Sequence, residues 1–269
     1  RHGEEPPDPV ADLMRRQDVI ITPTRQSLTH TKARLSATRE GARIATMPGV
    51  TFEMFTQGGM TADFVAIRSS IQRAGAKIRK RSKVHVTSPA GTDVEFVIAK
   101  GKWSKEDTGV CNRPGMITNL PAGKIFAMPK EGTMNGTIVL DGSFESKIID
   151  DEPVVLIVED GLVTDVKGGA VADHMREMYS AVDVDLSTSK QGLVWTMAEF
   201  GFGMNPNAQI IGNVLEDEKT LGTAYFSIGD NHALGGNVSV GIHVSAVLRN
   251  PTVKIGNLQV IEDGELLIG

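Results

Sequence analysis

Six histidines serve this chain of 269 residues, and two of them, His232 and His243, flank a double glycine in "GDNHALGGNVSVGIHVS". Glycines let the backbone turn tightly and bring side chains from separate loops to one point. Upstream, "AEFGFGMNPNAQIIGN" sets Glu199 between an expected strand and another glycine-rich turn. Neutral imidazoles and a hard carboxylate oxygen suit one divalent ion (Zn, Co, Mn or Fe), so Glu199, His232 and His243 form a candidate two-histidine, one-carboxylate metal set. The spacing matches no compact motif such as H-E-x-x-H, and a histidine in a glycine-rich loop also serves as a structural hydrogen-bonding group. Asn231, next to His232, is a candidate substrate contact.

Other side chains carry two readings each. His30, in "SLTHTKAR", is either an acid or base at the mouth of a sheet or a residue flanking a helix start. Lys32 and Arg34 either hold an anionic substrate group or form a solvated helix face. "EDEK", Glu216 to Lys219, reads as a solvated turn from which Glu216 or Asp217 could reach the site. His85 lies in an alternating strand and His174 on an amphipathic helix, and both read as structural. The basic run "RAGAKIRKRSK" has no interleaved aromatics for stacking bases, so it reads as a helix end and linker.

These residues need elements to hold them. "VADLMRRQDVIITPT" changes from helical to continuous apolar spacing and predicts a helix running into a buried strand at Val19 to Thr22. "SLTHTKARLSATREGARIATMPG" repeats the order, with a helix from Thr31 to Glu40, a Gly41 cap and a strand from Ala42 to Met47. Strand–helix alternation implies a parallel sheet whose ligands sit beyond the carboxyl ends of the strands, where His30 and Thr31 fall. A further helix, "TADFVAIRSSIQRAGAKI", starts at Thr61 and Asp63, which suit the helix dipole. From Lys83 the texture becomes alternating: "KVHVTSPAGTDVEFVIA" predicts a hairpin, and "GTIVLDGSF", "PVVLIVEDGLVTDVKGG" and "NLQVIEDGELLIG" predict further strands, interrupted by the helix "AVADHMREMYSAV". The expected architecture is an α/β domain over residues 1–82, with a parallel sheet lacking an N-terminal segment in one reading, and a larger α+β domain over 83–269, rich in antiparallel strands.

A net charge of -5 leaves no general cationic surface for a phosphate backbone, so nucleic acid is not an expected partner. No apolar run reaches membrane-spanning length, so no membrane partner is expected either. The lone Cys111 forms no intramolecular disulfide, which fits the cytoplasm.

The ordered set "NLPAGKIFAMPKEGTMNGTIVLDGS", "VEDGLVTDVKGG", "AEFGFGMNPNA" and "EDEKTLGTAYFSIGDNHALGGN...GIHVS" resembles the aminopeptidase T family of metallo-aminopeptidases, whose relatives include mononuclear iron 2,5-dihydroxypyridine dioxygenases. Residue by residue, the resemblance puts Lys124 where a ligand glutamate follows "NLPAG", and Glu199 on the second glutamate. It puts Tyr225 on a histidine, His232 on a tyrosine, and His243 and Ser245 on a closing "H-x-D". Two carboxylates are missing, so a two-metal site with bridging carboxylates is not expected. The retained Glu199, His232 and His243, with Tyr225 nearby, imply one divalent ion.

The first functional expectation is a metal-dependent hydrolase in which a metal-activated water attacks a peptide or amide carbonyl, with His30, Lys124 and Tyr225 as catalytic candidates. The alternatives are a mononuclear iron ring-cleavage dioxygenase acting on a small hydroxylated aromatic, and a metal-free family member with a binding role. A small molecule or short peptide is the expected substrate, and the resemblance implies a homo-oligomer.

Overall fold

The structure, a computed structural model, describes residues 4–29, 31–99 and 101–269; His30 lies outside them. The chain begins with α1 (Asp8–Met14), β1 (Val19–Thr22), α2 (Lys32–Arg39), β2 (Arg43–Thr46) and α3 (Phe64–Ile78). Thr31 caps α2 by accepting the Arg34 amide, and Asp63 caps α3 by accepting the amides of Val65 and Ala66. Ile67, Ile71, Ala74 and Ile78 form the buried stripe of α3 at helical spacing.

Strands then dominate: β3 (Lys83–Thr87), β4 (Asp93–Val97), β5 (Ile117–Asn119), β6 (Lys124–Ala127), β7 (Asn135–Leu140), β8 (Ser143–Phe144), β9 (Lys147–Ile148), β10 (Val154–Glu159) and β11 (Leu162–Lys167). After α4 (Ala170–Asp183) come β12 (Met197–Gly203), the one-turn α5 (Val214–Asp217), β13 (Ala224–Gly229), β14 (His243–Leu248), β15 (Thr252–Ile255), β16 (Leu258–Glu262) and β17 (Glu265–Leu266).

Among the described residues the strands form three sheets, so the architecture is mixed α/β with one small parallel sheet and two large antiparallel ones. The parallel sheet has the order β1-β2-β5, and its third strand comes from residues 117–119, well past residue 82 where the sequence texture changes. An eight-stranded sheet, β11-β10-β7-β4-β3-β15-β16-β17, packs against a six-stranded sheet, β6-β12-β13-β14-β8-β9. Their shared core is aromatic: the Phe96 and Phe200 rings meet edge to face at 5.0 Å, and Phe200 and Phe226 lie 5.2 Å apart.

Alternation along β12 and β13 sends Phe200, Phe202, Phe226 and Ile228 into that core. The intervening residues, Glu199, Gly201, Tyr225 and Ser227, therefore share the opposite face. This second face is buried as well, because every residue of β12 and β13 is enclosed. Residues 204–222 cover it, pinned where the Asn205 amide donates to the Lys219 carbonyl (2.9 Å) and the Leu221 amide donates to the Asn205 carbonyl (3.1 Å). Among the described residues no helix is long and apolar enough to cross a membrane.

Candidate functional site

The second face of the six-stranded sheet holds a compact polar cluster. Register fixes its members: Lys124 pairs with Gly203, Tyr225 with Gly201, Glu199 with Ser227, and Ser227 with Ser245. Lys124 opens β6 just after the "NLPAG" turn, where Gly123 has φ +122° and an added Cβ would lie 2.9 Å from Asn205 Cβ. Only glycine fits that turn comfortably. Gly201 makes room in a different way: a Cβ there would lie 2.5 Å from the Tyr225 ring, which lies across it.

Lys124 Nζ donates to Glu218 Oε2 at 2.6 Å and to Glu199 Oε1 at 3.2 Å. Two rings flank the ammonium, Tyr225 with its centroid at 4.7 Å and Phe126 at 4.8 Å, so the charge is held by carboxylates and ring faces together. Tyr225 donates its hydroxyl to the same Glu199 oxygen. Lys219 Nζ reaches Glu218 Oε2 at 3.2 Å, and Ser227 and Ser245 share a hydroxyl–hydroxyl bond of 2.8 Å. Asp107 closes the cluster from the loop before β5, its Oδ2 accepting from the Gly123 amide at 3.2 Å.

Burial and charge oppose each other here. Burial alone would lower the Lys124 ammonium, but the carboxylates of Glu199 and Glu218 outweigh it and raise Lys124 above its ordinary value. Burial would raise Glu218, but Lys124 and Lys219 outweigh it and hold its carboxyl well below the usual range. For Asp107 burial wins over the two lysines, and its carboxyl is pushed up. The Tyr225 hydroxyl is pushed well above its ordinary range by burial and by the Glu199 charge.

Of the residues singled out in the sequence, Lys124, Glu199 and Tyr225 come together. His243 lies on the same face, two residues along β14 from Ser245, at its exposed end. Its Nδ1 donates to the Asp230 carbonyl at 2.7 Å, which leaves Nε2 as the basic nitrogen. His232 is exposed on a single 3-10 turn. Asn231 is spent on structure: it donates to Glu131 Oε1 at 3.0 Å and accepts from the Val238 amide at 2.8 Å, bracing its own loop. Lys32 is exposed at the start of α2, and Arg34 Nε donates to the Thr29 carbonyl at 2.6 Å. His85 pairs with Asp93 (2.8 Å) and His174 with Glu145 (2.9 Å), as structural histidines do.

The sequence reading missed Asp107, Glu218 and Lys219. "EDEK" is no solvated turn: all four of its residues are buried. Glu216 reaches a different partner, accepting from the Gly59 amide at 2.6 Å, and Asp217 Oδ1 accepts from the Ile211 amide at 2.8 Å.

The chain matches the family of 2,5-dihydroxypyridine 5,6-dioxygenases (NicX) over residues 4–268 and belongs to it. Among particular relatives, the 2,5-dihydroxypyridine 5,6-dioxygenase of Pseudomonas putida KT2440 is 26% identical over 203 residues, covering 71% of this chain and 55% of that protein. The chain thus spans about half the length of the curated relative it matches. The solved structure of the 2,5-dihydroxypyridine dioxygenase from Pseudomonas putida KT2440 superposes with a TM-score of 0.81 at 21% identity, covering 97% of this chain and 75% of that one. AmpT from Thermus thermophilus shares the fold, with a TM-score of 0.66 at 13% identity, covering 97% and 79%.

These findings correct the first functional expectation. A hydrolase of the aminopeptidase T type is overturned by the family match and by the curated relative, which both point to an oxidoreductase; the aminopeptidase likeness extends to the fold. A dioxygenase of this family implies a single non-haem iron ion, compatible with the one divalent ion expected from the sequence.

The ligand set is another matter. The structure does not gather Glu199, His232 and His243: Glu199 Oε1 is engaged by an ammonium and a phenol, and both histidines are exposed. Among the described residues no three His, Cys, Asp or Glu side chains converge as metal ligands. For Glu199 the physical reason is the lysine, which neutralises the carboxylate that a metal would need. The described residues therefore do not fit the ion.

Proposed function

We propose that this chain is a ring-cleavage dioxygenase of a small hydroxylated aromatic, with a dihydroxypyridine as the substrate class to test first. The observation that carries this reading is the family match across residues 4–268. The chemistry of the sheet face is compatible with it. A hydroxylated ring entering from the His243 end would meet the basic Nε2 of His243 first and, deeper, the Lys124, Tyr225 and Glu199 cluster of proton donors and acceptors. In this reading His243 takes a proton from a ring hydroxyl, and Lys124 offers a fixed positive charge to the resulting phenolate. His30 remains a candidate acid or base, and Lys32 and Arg34 remain candidates for holding an anionic group of the substrate. A homo-oligomer in the cytoplasm belongs to the same proposal.

The test is spectrophotometric. Loss of the ring absorbance of 2,5-dihydroxypyridine in air with ferrous iron present, and its persistence under argon, is the expected result. Equal rates in air and argon, or none above a protein-free blank, would rule the reading out.

One observation favours a second reading, a metal-free member with a binding role: the Lys124 ammonium lies between the two carboxylates. In that case 2,5-dihydroxypyridine would bind without being consumed.

A further inference from the structure

The space between Glu199 and Glu218 has the makings of a cation site, with two acceptor carboxylates, a third acid at Asp107 and almost complete burial. The cation in it belongs to the chain. Lys124 Nζ is within hydrogen-bond distance of both carboxylates, and the ring faces of Phe126 and Tyr225 flank it. Ring faces attract an ammonium, but they offer no lone pair to a metal that needs at least four donors.

Charge points the same way. Lys219 already reaches Glu218 from another direction, so the cluster holds two lysines against Glu199, Glu218 and Asp107. A divalent ion entering beside both lysines would leave a buried excess of positive charge even with Asp107 ionised. Repulsion between such an ion and an ammonium about 4 Å away corresponds to several powers of ten in affinity.

We propose that the Lys124 ammonium is the resident cation of this buried cluster, so that no divalent ion binds between Glu199 and Glu218 and any metal the chain uses is held elsewhere. The inference takes from the family reading only the expectation of a metal.

The experiment uses the full chain and the metals alone. Wild type and a Glu199→Gln, Glu218→Gln double variant are incubated with ferrous iron, Zn or Mn, passed through a desalting column and analysed for bound metal. Equal metal in the two proteins, whether none or one equivalent, is the expected result. One equivalent in wild type that the double variant lacks would overturn the proposal.

Should the double variant fail to fold, the side-chain ammonium resonance of Lys124 in wild type decides. A resonance unmoved by metal upholds the proposal, and one displaced by stoichiometric metal overturns it. Failure of the dioxygenase reading is separate, since it appears as absent oxygen-dependent ring loss whatever the metal analysis gives.

Discussion

Replacing Lys124 with Met keeps most of the side-chain volume and removes one charge from between two buried carboxylates. The lysine side chain is 10% exposed, Glu199 is 7% and Glu218 is 11%, so water screens little of the loss. Breaking a buried pair by removing one partner costs about 3–5 kcal/mol, because the remaining charge is left uncompensated. Here Glu218 keeps Lys219 and Glu199 keeps the Tyr225 hydroxyl, so the lower half of that range, about 3–4 kcal/mol, is the expected loss. At about 2–4 °C per kcal/mol for a domain of this size, Tm should fall by about 6–16 °C. Urea denaturation gives the free energy, and a cycle with Glu218→Gln isolates the pair. The double variant should recover about 1–3 kcal/mol relative to additivity, since the orphaned anion is gone. A Lys124→Met protein within about 1 kcal/mol of wild type would instead mark the contact as equivalent to a solvated surface pair and contradict a buried, charge-coupled Lys124.

Two further outcomes follow from the same cluster. Gly201→Ala puts a Cβ against the Tyr225 ring from a central strand that has little room to move, so urea denaturation should show a loss of about 1–3 kcal/mol, and near-ultraviolet circular dichroism should report a displaced tyrosine. Burial raises Asp107, Glu216 and Asp217 above their ordinary values near 3.8 to 4.5, so their contribution is complete below about pH 4 and is lost as pH rises through their folded values. Glu218, held low, acts oppositely and loses its contribution only as pH falls below about 4.5 towards its folded value. Tm should therefore decline as pH rises above the ordinary carboxylate values of 3.8 to 4.5, and Asp107→Asn should flatten the slope; a Tm that rises as these groups ionise contradicts the assignment.

Much of the fold was legible because it rests on periodicity. The strand at Val19 to Thr22, the helix capped at Thr31 and the helix capped at Asp63 all follow from apolar spacing and cap chemistry. The crossing of β5 into the first sheet was not legible, since a three-residue strand carries no period and its pairing with β2 is a long-range event. The site divides along the same line. Lys124, Glu199 and Tyr225 could be singled out one by one, but their salt-linked arrangement depends on sheet register and on a turn from "EDEK" folding inward. Nothing local marks a run of four charges as buried, and the usual fate of such a run is solvent. His232 and His243 are both exposed, and glycine-rich loops permit convergence without requiring it.

If a member of the dihydroxypyridine dioxygenase family works from the polar face of this sheet, oxygen uptake with 2,5-dihydroxypyridine and ferrous iron should distinguish wild type from Tyr225→Phe. The phenylalanine keeps the ring across Gly201 and deletes the hydroxyl bound to Glu199. Oxygen uptake by wild type, with kcat lowered about 100-fold in a variant that still melts cooperatively, is the predicted result. No uptake by wild type, or a Tyr225→Phe protein working at the wild-type rate, would contradict the claim.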